Sequence, residues 1–107
     1  LPIAPPAVEA SLHSSGLLNI PDSMLLLGRK GIRRMVPPRM VKDKGVRGLR
    51  RAVKEKRIFH LWFHPFNFCY DTETQFNVLR EILKEAARLR DQGAIDILTM
   101  AEIHERV

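Results

Sequence analysis

The sequence predicts an α/β fold that is incomplete on its own, and three observations carry the prediction. Ile58–Phe63 reads Ile-Phe-His-Leu-Trp-Phe, the clearest strand in the chain, rich in aromatic and branched side chains and closed by Pro65. A helical apolar period follows from about Glu73 to Gln92. Ile95–Leu98 then reads as a short strand, and Thr99-Met-Ala-Glu102 has the spacing of a capping box that opens a final helix. Strand, helix, strand and helix start make a βαβ unit. Its parallel sheet needs helices over both faces, and a lone pair of strands leaves much apolar surface bare.

The elements before this unit are weaker. Leu1–Ser15 carries prolines and small polar residues without a period and forms a poorly defined lead-in, extended or looped. Gly16–Ile20 predicts a short strand, with a turn at Pro21 and Asp22. Met24–Leu27 fits either a helical turn or a short buried strand. Gly28, Gly31, Pro37 and Pro38 break Arg29–Met40 into loop with a short helix. From Lys42 to Lys56, Val46, Leu49 and Val53 form a narrow helical stripe on a basic segment. In the long helix, Asp71 or Thr72 is positioned to cap the start, and Gly93 to end it in a left-handed conformation. Phe76, Leu79, Ile82, Leu83, Ala86 and Leu89 form its buried stripe, with Glu81, Lys84, Glu85 and Arg88 on other faces.

At 107 residues the chain holds one domain-sized unit, 45% hydrophobic and 28% charged. The start at Leu1, with Pro2, Pro5 and Pro6 close behind, points to a piece of a longer chain and breaks the apolar stretch a secretory signal requires. No run approaches the roughly 18 apolar residues of a membrane span. Cys69 is the single cysteine, which excludes an internal disulfide and a cysteine-built metal site and leaves the compartment open. The net charge of +6 is local in origin. Residues 29–57 hold thirteen Lys and Arg against Asp43 and Glu55, a segmental charge of +11, while the other residues sum to −5. Such a segment suits a solvated connection, phosphates, an anionic glycan or an acidic lipid surface.

Chemistry concentrates in the 58–70 region. Alternation puts Phe59, Leu61 and Phe63 on one apolar face and Ile58, His60, Trp62 and His64 on the other, a composition suited to the inner wall of a barrel near its mouth. His64 sits at the strand's C-terminal end, where α/β barrels place catalytic groups, and its imidazole exchanges protons near neutral pH. His60 reads as a hydrogen-bonded core histidine. On a regular strand the two histidines lie roughly 13 Å apart, too far for one ion. Asn67 is placed to orient His64 or contact substrate, and Phe66, Phe68 and Tyr70 to line a sugar surface or simply pack.

Arg57-Ile-Phe-His-Leu-Trp-Phe-His-Pro-Phe-Asn67, the helical run Leu79–Arg90 and Ile97-Leu-Thr-Met-Ala-Glu102, taken in that order, resemble the last part of polysaccharide deacetylases of the nodulation-protein-B homology family. Asn19-Ile-Pro21 and Ser23–Leu27 resemble the strand region before that ending. The resemblance implies the C-terminal portion of a deformed (β/α)7-type barrel, in which a zinc-like divalent metal activates water against an N-acetyl group. In that family an early Asp is the base, a second Asp and two His hold the metal, and a late His protonates the leaving amine. Only the late His has a match here, and it is His64. His60-x-x-x-His64-Pro65 also approaches the family's metal pair, but Leu61 stands where Ser or Thr is usual and no Asp-Asp pair lies upstream.

The resemblance thus implies a fragment of a bacterial carbohydrate N-deacetylase, cytoplasmic or of the cell envelope. His64 would be its acid, Trp62, Phe66 and Asn67 its substrate contacts, and the segment itself would bind no metal. The missing half-barrel and an N-acetylated carbohydrate would be its partners. Two other classes compete. Residues 29–57 could act as a small basic module on nucleic acid or another anionic polymer, although no nucleic-acid motif accompanies the charge. An exposed sheet edge would suit a noncatalytic interaction domain.

Overall fold

A computed structural model describes residues 4–107, so the first three residues of the lead-in lie outside it. The described residues form a mixed α/β domain with two small sheets and three helices. They do not close a barrel. The lead-in is more ordered than its composition suggests: Val8 exchanges backbone hydrogen bonds with Ile58, and β1 (Ser11–Leu12) pairs antiparallel with β2 (Leu18–Asn19). The strand expected over Gly16–Ile20 is therefore the second arm of a hairpin. Gly16, at φ 91°, makes the turn between the arms.

The open choice at Met24–Leu27 resolves to a strand, β3 (Met24–Leu25). A 3-10 turn over Gly31–Met35 leads to α1 (Pro38–Glu55), which starts four residues before the predicted Lys42. Pro38 occupies the first helical position, where a missing N–H costs nothing and a fixed φ helps, so the proline pair opens this helix. α1 leads back to β4 (Leu61–Trp62), which lies parallel to β3 with Met24 opposite Leu61. The parallel βαβ unit is thus β3–α1–β4, one step earlier in the chain than the sequence pattern indicated.

A second 3-10 turn, Pro65–Phe68, connects β4 to α2 (Thr72–Asp91), and α3 (Met100–Arg106) closes the chain. Thr99 and Glu102 form the expected capping box, and Gly93 is left-handed at φ 76°. Asp71 stands at the helix start, but its carboxylate turns to Arg29 rather than to the first-turn N–H groups. Ile95–Leu98 pairs with nothing and is not a strand. His60 and Trp62 spend their carbonyls on β3, so the peptide groups of Phe59, Leu61 and Phe63 point to the opposite edge. A groove of about 590 Å³ separates that side of the domain from Ile95–Leu98.

The core joins Leu26, Leu49, Phe68, Val78, Ile82, Ala86 and Leu89, with Phe59 and Leu61 packed against it. α1 packs closely on its neighbours through two glycines, Gly45 facing α2 and Gly48 facing the segment before β4. A Cβ on Gly45 would stand 2.6 Å from Ile82 Cδ1, and one on Gly48 2.3 Å from Phe59 Cε1. The buried face of α2 is Gln75, Val78, Ile82, Glu85, Ala86 and Leu89, while Phe76 and Leu83 are exposed. This face is rotated from the predicted stripe, and Glu85, expected outside, is inside. It tolerates that place because Arg88 donates to it at 2.6 Å and Arg50 at 3.0 Å. The Arg88 and Arg50 guanidiniums hold its carboxyl down at about 2, against an ordinary 4.5, although burial opposes them.

Candidate functional site

β4 and the turn after it carry the residues singled out by the sequence. Trp62 and His64 share a face of the extended chain, and the 3-10 turn Pro65–Phe68 brings Phe66 back against His64. Their rings form a row: His64 stands edge-on to Trp62 at 5.0 Å between centroids and stacks on Phe66 at 4.8 Å with planes 10° apart. His64 is exposed and Phe66 is 64% exposed, so the row faces solvent at the C-terminal end of the parallel pair. Trp62 is half-buried and anchored, its Nε1 donating to Asp22 Oδ2 at 3.0 Å.

Asn67 is placed differently from the rings. It is 6% exposed, and its Oδ1 accepts the backbone N–H of His64 at 2.7 Å, while its own N–H donates to the His64 carbonyl. These two bonds fix the backbone from which the imidazole projects, which is the orienting role. Gln75 continues the brace. Fully buried on α2, it donates through Nε2 to the carbonyls of Asn67 at 3.0 Å and Leu27 at 2.7 Å, tying the His64 turn to the end of β3. Sequence reasoning missed Gln75; the available signal was a Gln at helical spacing from Val78 and Ile82.

Phe68 leaves the sugar-facing set, because it is buried in the core with its ring 4.6 Å from Phe76. Tyr70 lies apart, beneath the Lys30 ammonium at 5.4 Å. His60 occupies a structural position: its Nδ1 lies 3.0 Å from the Pro21 carbonyl and 3.2 Å from that of Ile20, so that nitrogen carries the proton. It pins the hairpin exit to β4. Among the described residues no three His, Cys, Asp or Glu side chains gather into a group that could hold a metal ion.

Together these contacts define a mixed α/β domain that offers an exposed imidazole between two aromatic rings on a braced turn. Comparison with family models, curated proteins and solved structures finds no match.

Proposed function

We propose that this chain is the C-terminal part of a carbohydrate N-deacetylase of the nodulation-protein-B homology type, in which His64 is the acid. The observation that carries the reading is the solvent-facing row of Trp62, His64 and Phe66 at the C-terminal end of β4. Sugar rings lay their C–H faces on aromatic side chains, so Phe66 and Trp62 would hold an N-acetylhexosamine with its amide beside the imidazole. A protonated His64 donates to the amide nitrogen as the C–N bond breaks. The electron pair stays on nitrogen, and a water-derived oxygen remains on the departing acetate. Asn67 and Gln75 act as positioning residues in this reading.

In this reading β3–α1–β4, a parallel pair joined by a helix, is one repeat of a β/α barrel, a unit that other α/β architectures share. The family's base and metal ligands have no counterpart here, so the divalent metal would belong to the other part of the parent barrel and supply its activated water there. The chain alone is expected to be inactive on acetylated glycans.

Trp62 is the sole tryptophan, which makes its fluorescence a direct reporter of the row. Titration with tri-N-acetylchitotriose should change the emission saturably, and Phe66→Ala should weaken that binding by about tenfold, near the energy of one aromatic contact. An emission that ignores the sugar, or a Phe66→Ala variant that binds as well as the parent, would remove the carbohydrate reading.

A further inference from the structure

The two most exposed large hydrophobic side chains among the described residues are Ile32, at 86%, and Met35, at 80%. Both stand on the 3-10 turn Gly31–Met35, among Lys30, Arg33, Arg34 and Arg39. Between Asp22 and Asp43 the chain carries no acidic residue. Arg33, Arg34 and Arg39 enter no ion pair among the described residues. The start of α1 adds to the positive field, because its first turn has no acidic residue to offset the helix dipole.

The turn is held from behind. Arg29, 7% exposed, donates from its guanidinium to the carbonyls of Arg34 and Val36 at 3.1 and 2.9 Å and pairs with Asp71 at 2.8 Å. The Arg29 guanidinium holds the Asp71 carboxyl below its ordinary range. Lys30 is tethered over Tyr70. The exposed apolar pair is therefore displayed on a fixed scaffold, so little ordering remains to oppose binding. Beside it opens a cavity of about 210 Å³ whose walls include Leu27, Val36 and Met40, with Arg33 and Lys44 among its lining residues.

We propose that this turn docks the protein on an anionic lipid bilayer, with Ile32 and Met35 entering the headgroup boundary and Arg33, Arg34 and Arg39 lying against the lipid phosphates. Apolar tips inside a cationic ring are the pattern of an interfacial anchor, which gains from both acyl contact and anionic charge. A nucleic acid would use the cations but leave Ile32 and Met35 in water, and residues 24–42 contain no aromatic side chain to stack on bases. A second copy of the chain would set one cationic turn against another.

The test is co-sedimentation of the full chain with vesicles of phosphatidylcholine, with and without phosphatidylserine. Binding should require phosphatidylserine and weaken with salt. Arg33→Gln with Arg34→Gln should reduce it about 30-fold, at about 1 kcal/mol per cation near an anionic surface. Ile32→Ser with Met35→Ser should reduce it about tenfold or more. These side chains are exposed, so circular dichroism should show each variant folded. Equal binding to neutral vesicles, or full binding by the Ile32→Ser/Met35→Ser variant, overturns the proposal. So does duplex-DNA binding that survives that variant without vesicle binding, or a dimer in sedimentation equilibrium that the same variant dissolves.

Discussion

Gln75 shows how much of the candidate site depends on a residue that never reaches its surface. Its amide donates to two carbonyls, that of Asn67 in the His64 turn and that of Leu27 beyond β3. Gln75→Leu keeps the volume and removes both donors, so Leu27 and Asn67 lose partners they cannot replace with water. Stability should fall by about 2 kcal/mol in urea unfolding, the ordinary penalty for buried polar groups left unsatisfied. At the same scale the sequence was informative wherever a period applied. Alternation along the strand placed Trp62 and His64 on one side, and their rings do meet, while Phe66, read as a loop aromatic, reaches His64 through the 3-10 turn. It was silent where the partner is a distant backbone. Nothing near Gln75 or Arg29 in the chain announces the carbonyls they bind.

At the scale of elements, the helices were legible and the strands only in part. Hydrophobic spacing located α2 within a residue at each end and placed Ile82, Ala86 and Leu89 correctly inside, yet it rotated the buried face toward Phe76 and Leu83, because α2 carries two apolar stripes. Val78, Ile82, Ala86 and Leu89 enter the core; Phe76 and Leu83 stay outside and line a shallow depression with Leu79. Periodicity alone does not rank two such stripes. For α1 the sequence offered the stripe Val46, Leu49 and Val53, and the two glycines that set its close packing went unread. Gly45 and Gly48 lie one turn apart on the face that meets Ile82 and Phe59, where side chains would collide. Gly48→Ala should therefore destabilise the domain by about 1 to 3 kcal/mol despite alanine's better helix propensity, as measured by thermal or urea unfolding. A stabilised variant would show that Phe59 yields more readily than the packing implies. Ile95–Leu98 has strand composition but no strand, since pairing is a property of the neighbour and not of the segment.

For the whole molecule, the sheet of β3 and β4 has two strands, a groove opens beside β4, and Phe76 and Leu83 on α2 are exposed; under the proposed reading these are the surfaces the rest of the parent would cover. No span of the described residues is a helix long and apolar enough to cross a membrane. The basic segment holds α1, expected as a helix from Lys42, and the turn before it: one face of α1 packs into the core while the turn stands out with Ile32 and Met35. The sequence made its charge plain and left its apolar tips ambiguous, because exposure depends on the Arg29 brace behind them. The carbohydrate reading rests on one place, the His64 row, and the four histidines allow it to be watched individually. The most direct measurement follows the imidazole Cε1–H resonances of His13, His60, His64 and His104, with the Trp62 indole N–H, as tri-N-acetylchitotriose is added. The account predicts that His64 and Trp62 shift together along one saturable curve while His13 and His104 stay in place; a motionless His64, or equal small shifts at all four histidines, would contradict it.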